Sequence, residues 1–132
     1  MNEGSPVTDK FPCVLIVEDD PDIRELSCRF LKEKGYSVQT CKDGWEALAF
    51  LDTHLDPCLI LLDMMMPIMN GRDFMAAFAM RPHTIVPIPI YLVSATAQKK
   101  DGREIGCLGF LKKPVNLDAL LAIVQRHCSR IS

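Results

Sequence analysis

Four places in the sequence carry side chains suited to metal or phosphorus chemistry: the acidic run Glu18-Asp19-Asp20, the single Asp63, Ser94, and the pair Lys112-Lys113. Crowded carboxylates repel one another, and a hard, oxygen-seeking cation relieves that repulsion. Mg2+ suits such a cluster, with Mn2+ as a substitute, because it takes one or two carboxylates together with waters and phosphate oxygens rather than a complete protein cage. No paired Cys/His spacing is present to select a softer metal. A carboxylate that faces a cation and a lysine is an activated nucleophile toward phosphorus, since positive charge offsets the charge building on the transferring oxygens. Ser94 and Lys113 would then grip two different oxygens of the phosphoryl group. Taken singly, each residue has an ordinary reading. Asp20 before Pro21 is a helix cap, Asp63 a charged strand end, Ser94 a residue before a helix, and Lys113 a solvated surface lysine. Their significance depends on whether the fold makes them converge.

The elements that must do this are legible from hydrophobic patterning. Cys13-Val14-Leu15-Ile16-Val17 is a short, continuous, β-branched run, as expected of a strand covered on both faces. It stops at the acidic run, where Asp20 can cap a helix and Pro21 can occupy its first turn. Ile23, Leu26, Phe30 and Leu31 then form a stripe at helical spacing that ends near Gly35, a left-handed cap. The alternation continues. It predicts a weaker strand over 36–41, a helix over 45–51 with Ala47, Leu48 and Leu51 inward, and an apolar strand over 58–62 that runs into Asp63. After these come a helix over 71–80, a strand over 88–93, a short polar helix over 97–104, a strand over 108–111, and a helix over 116–127 with Leu117, Leu120, Leu121 and Val124 on one side. Five strands alternating with five helices make an α/β domain with a parallel sheet between helical layers. Ligands bind such sheets outside the carboxyl ends of the strands, which is where all four chemical positions fall.

Composition narrows the class further. A chain of 132 residues, 48% hydrophobic and 24% charged, fits one domain with its own core. The expected boundaries are a loose tail over 1–11, a domain over 12–129 and a short end over 130–132. No apolar run approaches the roughly 20 residues of a membrane span, and the N-terminus lacks the basic start and apolar middle of a secretory signal, so a cytoplasmic address is expected. The six cysteines, Cys13, Cys28, Cys41, Cys58, Cys107 and Cys128, are scattered singly and read as reduced, mostly buried thiols. A net charge of −2 without a basic block gives no footprint for direct nucleic-acid binding. Arg126, His127 and Arg130 read as the solvated, cation-rich end of the last helix.

The segments Leu15-Ile16-Val17-Glu18-Asp19-Asp20-Pro21, Leu61-Leu62-Asp63-Met64-Met65-Met66-Pro67-Ile68-Met69-Asn70-Gly71, Val93-Ser94-Ala95 and Phe110-Leu111-Lys112-Lys113-Pro114 resemble, in order and separation, the receiver domain of response regulators in two-component signalling. The resemblance spans residues 13–127 and implies a flavodoxin-like three-layer sandwich with a five-stranded parallel sheet in the order 2-1-3-4-5. It implies that Asp63 is the phosphoacceptor and a magnesium ligand. Asp19 would be a direct ligand, Glu18 would act mainly through water, and the backbone carbonyl of Met65 would complete the protein's share. Ser94 matches the switching hydroxyl and Phe110 the aromatic residue that turns inward behind it. Lys113, rather than its neighbour Lys112, matches the lysine before the proline, with the Lys113-Pro114 bond expected to be cis.

By the same resemblance the phosphoryl donor is a sensor histidine kinase or a histidine phosphotransfer protein. The output face is the fourth helix, fifth strand and fifth helix, read by a downstream protein that the sequence does not identify, with pairing on phosphorylation left open. Such a domain is not a conventional enzyme, although it takes a catalytic part in its own Mg2+-dependent phosphorylation and dephosphorylation. Met65 and Thr96 flank the route of an attacking water and depart from the short-lived members, so self-dephosphorylation is expected to be moderate to slow. The methionine-rich loop Met64, Met65, Met66 and Met69 reads either as packing or as an adaptable docking surface. Two other accounts compete. A phosphorylation-independent scaffold is opposed by the joint presence of Asp19, Asp63, Ser94 and Lys113. A flavin or nucleotide-binding sheet is opposed by an acidic rather than glycine-rich first turn.

Overall fold

The computed structural model describes residues 12–81 and 87–131, so the loose tail expected over 1–11 lies outside the described residues. Ten elements alternate: β1 (Val14–Val17), α1 (Pro21–Glu33), β2 (Val38–Cys41), α2 (Gly44–Thr53), β3 (Leu59–Asp63), α3 (Gly71–Ala79), β4 (Ile90–Ser94), α4 (Lys99–Glu104), β5 (Gly109–Lys112) and α5 (Leu117–His127). The strands form one parallel sheet in the order β2-β1-β3-β4-β5. Because β1 pairs with β2 on one side and β3 on the other, the chain winds in opposite directions from it. The crevice of such a sheet opens at the carboxyl ends of β1 and β3.

Strand periodicity sorts the core into two layers. Leu15, Val17, Ile60, Leu62 and Leu92 face Ala47 and Leu51 of α2 and Phe74 and Met75 of α3. Val14, Ile16, Leu59, Leu61, Tyr91 and Val93 face Leu31 of α1 and Leu120 and Val124 of α5. All residues of β1, β3 and β4 are buried, which explains why those strands read as unbroken apolar runs. At the edge, β2 is half exposed and its pattern correspondingly weaker.

Local chemistry sets the element ends. Asp20 accepts from the amides of Asp22 and Ile23, and Pro21 opens α1, as expected. Gly35 has φ 95°, the left-handed conformation that ends α1. Ser94 Oγ accepts from the amides of Thr96 (3.2 Å) and Ala97 (2.9 Å), so residues 95–98 form a turn and α4 starts at Lys99 rather than at 97. The strand expected from 88 begins at Ile90, since Pro89 has no amide hydrogen for the ladder.

Three further expectations are corrected. Leu26 is 55% exposed, and the inward position is Ser27. Ile23, Ser27 and Leu31 repeat every four residues along the packed face, and Leu26 lies about 100° round the helix from Ser27. The cysteines are also not all thiols. Cys58 and Cys128, 70 residues apart, lie with Cα atoms 5.4 Å from each other and form a disulfide. The entry to β3 and the exit from α5 meet there, a neighbourhood that spacing along the chain does not reveal. Cys13, Cys28, Cys41 and Cys107 remain thiols, and burial pushes Cys41 up to about 12 and Cys107 up to about 11. At the same end His127 Nε2 lies 3.1 Å from the Tyr91 hydroxyl, so this residue is partly packed rather than simply solvated. No helix among the described residues is long and apolar enough to cross a membrane.

Candidate functional site

Asp63 is the last residue of β3, where parallel pairing sets it beside Val93, one residue before Ser94. Glu18 follows β1, with its amide donating to Cys41 O, and Lys113 follows β5, with its amide donating to Ser94 O at 2.9 Å. The sheet ladder thus carries the chemical residues to one rim. Lys113 Nζ lies 3.0 Å from Glu18 Oε1 and 3.3 Å from Asp63 Oδ1, a bridge across 95 and 50 residues of chain. The Lys113-Pro114 bond is cis, as expected. Lys112 turns away, exposed, with Nζ 3.4 Å from Ala95 O.

Glu18 (3% exposed), Asp63 (2%) and Ser94 (1%) are the deepest polar residues at this rim, and Asp19 is more open. Oxygens of Glu18, Asp19 and Asp63 come within 4.8 Å of one another, three carboxylates against the single ammonium of Lys113. Burial, followed by hydrogen bonding with Asp19 and the charge of Glu18, raises the Asp63 carboxyl from 3.8 to about 7, and Lys113 only partly opposes this. Burial works to lower Lys113, but the hydrogen bond to Glu18 and the charge of Asp63 outweigh it and leave the ammonium above its ordinary value. Asp63 Oδ1 accepts from Lys113 and from the Met65 amide at 3.3 Å, whereas the buried Oδ2 meets no donor among the described residues. An orphaned anionic oxygen inside an oxygen-only acidic cluster fits a hard divalent cation.

The methionine loop mainly packs. Met66 and Met69 are buried, Met64 is half-buried, and Met65 is the most open of the four at 66% exposed. Met69 fills the space above Gly44, where a Cβ would lie 2.6 Å from its Sδ. Ile68, 84% exposed, has φ 69°, an unusual conformation for a β-branched residue. Phe110 is half-buried against the layer that holds Leu92, its neighbour across β4 and β5.

The structure gives Gly71, read in the sequence only as a helix start, a physical reason, and it brings in Arg24, which sequence reasoning missed. A Cβ on Gly71 would meet Met64 Cα at 3.0 Å and Asp63 O at 3.1 Å, closer than most side-chain carbons approach backbone, so a start of α3 this near the acceptor favours glycine. Arg24 Nη1 donates to Glu18 O at 2.8 Å and Asp19 O at 3.3 Å. The one available hint was a cation on the first turn after an acidic run.

A parallel sheet with a buried acid, a lysine and further carboxylates at its switch point defines a class of doubly wound domains with an acidic rim. Within that class the model of the response regulator receiver domain matches residues 14–125, and the chain belongs to that family. It is 32% identical over 121 residues to the response regulator Rre1 of Synechocystis, covering 89% of this chain and 52% of that protein. It is 34% identical over 115 residues to the transcriptional regulatory protein CpxR of Escherichia coli, covering 85% and 47%. The chain therefore spans about half the length of these relatives. Among solved structures, the Vibrio cholerae chemotaxis protein CheY4 superposes with TM-score 0.78 at 32% identity, covering 89% of this chain and 98% of that one. A receiver protein from Pseudomonas putida gives 0.79 at 26% identity, covering 88% and 97%.

Proposed function

We propose that this domain is a phosphoacceptor switch in which Asp63 takes a phosphoryl group from the phosphohistidine of a sensor kinase or phosphotransfer protein. The observation that carries the reading is the buried Asp63 carboxyl with one oxygen held by Lys113 and the other unpartnered. In the transfer, an Asp63 oxygen forms a bond to phosphorus as the phosphorus–nitrogen bond breaks, giving an acyl phosphate and a free imidazole. Asp19, Asp63 and the Met65 carbonyl would hold Mg2+ directly, with Glu18 acting through water. When bound, the ion supplies positive charge toward the transferring oxygens. The remaining work belongs to the chain. Lys113, already held between two carboxylates, brings its ammonium to a phosphoryl oxygen, and burial of the rim strengthens that attraction.

The signal follows from Ser94. Its Oγ accepts the amides of Thr96 and Ala97, while its hydroxyl hydrogen is available to a new acceptor. Phosphorylation adds nearly two negative charges and strong acceptors beside it. A Ser94 drawn to that group releases the turn before α4, and Phe110 moves into the space behind it. The face made by α4, β5 and α5 then shifts toward the form a downstream protein reads. In this reading the domain covers 12–129, works in the cytoplasm and does not touch nucleic acid itself.

The test is incubation with a small acyl phosphate and magnesium, followed by intact-mass measurement. One phosphoryl adduct is expected on the parent and none on Asp63→Asn. An unchanged parent mass would favour a phosphorylation-independent scaffold.

A further inference from the structure

Building on the phosphoacceptor reading, we propose that Arg24 is a positioning residue for the cation site, acting from behind the acidic turn. Its guanidinium reaches no carboxylate among the described residues. Instead Nη1 donates to the backbone carbonyls of both Glu18 and Asp19, at 2.8 and 3.3 Å. These are the two residues whose side chains face Asp63.

The consequence is orientational. A carbonyl bound by a fixed donor points toward it, and the peptide planes of residues 18 and 19 are held accordingly. The turn is tied at several further points: the Glu18 amide to Cys41 O at 3.0 Å, the Asp20 amide to Glu18 Oε2 at 3.2 Å, and Asp20 to the start of α1. Arg24 is itself carried by α1, with its amide on Asp20 O at 3.0 Å, so the clamp and the turn are parts of one capped helix start. Arg24 also sets a permanent positive charge behind three mutually repelling carboxylates without occupying the oxygens that a cation needs. A lysine placed between those carboxylates, as Lys113 is, offsets repulsion by using the same oxygens, whereas Arg24 leaves them free.

This role separates from simple helix stability in one experiment. Magnesium binding to the unphosphorylated protein is measured by titration calorimetry for the parent, Arg24→Met, Arg24→Lys and Asn116→Ala, with thermal unfolding in chelator alongside. Asn116→Ala removes the cap of α5, far along the chain, and serves as the stability control. Arg24→Met is expected to weaken magnesium binding by about tenfold, the lower end of what removing a partner that orients metal ligands costs. Arg24→Lys, which keeps the charge but not the planar donor group, is expected to recover part of that loss. Asn116→Ala is expected to lower the melting temperature and leave affinity unchanged. Magnesium binding by Arg24→Met within twofold of the parent would overturn the assignment of Arg24 while leaving the phosphoacceptor reading intact, as would an equal loss in Asn116→Ala. A parent that binds no magnesium would remove both.

Discussion

Lys113 Nζ lies 3.3 Å from Asp63 Oδ1, yet the other oxygen of the same carboxylate is buried and meets no donor among the described residues. One ammonium is shared between Asp63 and Glu18, so neither acid is fully compensated. Removing water from a charged group costs more than a half-shared ion pair returns. This imbalance makes the rim a receptive site for further positive charge, and it gives measurable consequences.

The first concerns pH. Folding raises the Asp63 carboxyl from 3.8 to about 7, so between those values the folded protein binds more protons than the unfolded chain. Stability from this group therefore falls as pH rises from about 4 to 7 and stays low above that range. Asp63→Asn abolishes the fall and is expected to be more stable than the parent by about 1–3 kcal/mol at pH 8 in chelator. Thermal melts of both proteins from pH 5 to 8 check this, and parallel curves would contradict it.

A second prediction concerns Gly71. A methyl group there meets backbone atoms of Met64 and Asp63 at 3.0 and 3.1 Å, and neither can swing aside as a flexible side chain would. Gly71→Ala is expected to destabilise the protein by about 1–3 kcal/mol in urea unfolding, despite alanine's better helix propensity. It should also weaken magnesium binding, because the displaced backbone carries the acceptor. A neutral or stabilising substitution would mean that the loop is less tightly seated than these distances require.

Met65 bears on the lifetime of the phosphorylated form. Its side chain is 66% exposed beside the acceptor and offers an attacking water no useful hydrogen bond. Met65→Asn supplies a donor and acceptor there, and its phosphorylated form is expected to decay severalfold faster than the parent's. The decay of labelled protein after removal of the phosphoryl donor is the measurement. An equal or slower rate in the variant would count against a water route past residue 65.

The sequence by itself determined most of the frame. Buried parallel strands are apolar on both faces, so β1, β3 and β4 were legible as runs, and caps such as Asp20 and Gly35 are local chemistry that residue type announces. The acidic run, Asp63, Ser94 and the lysine pair stood out because the carboxyl ends of strands in a doubly wound sheet converge, and the resemblance to the receiver family singled out Glu18, Asp19 and Lys113 among their neighbours. Tertiary structure decided what depends on distance between remote segments. It turned Leu26 outward, joined Cys58 to Cys128, set Arg24 against two carbonyls and left Asp63 Oδ2 alone. Periodicity and capping are properties of a few neighbouring residues, whereas a bridge, a clamp or an orphaned oxygen exists only once the sheet ladder has fixed which chain ends lie within a few ångströms of each other.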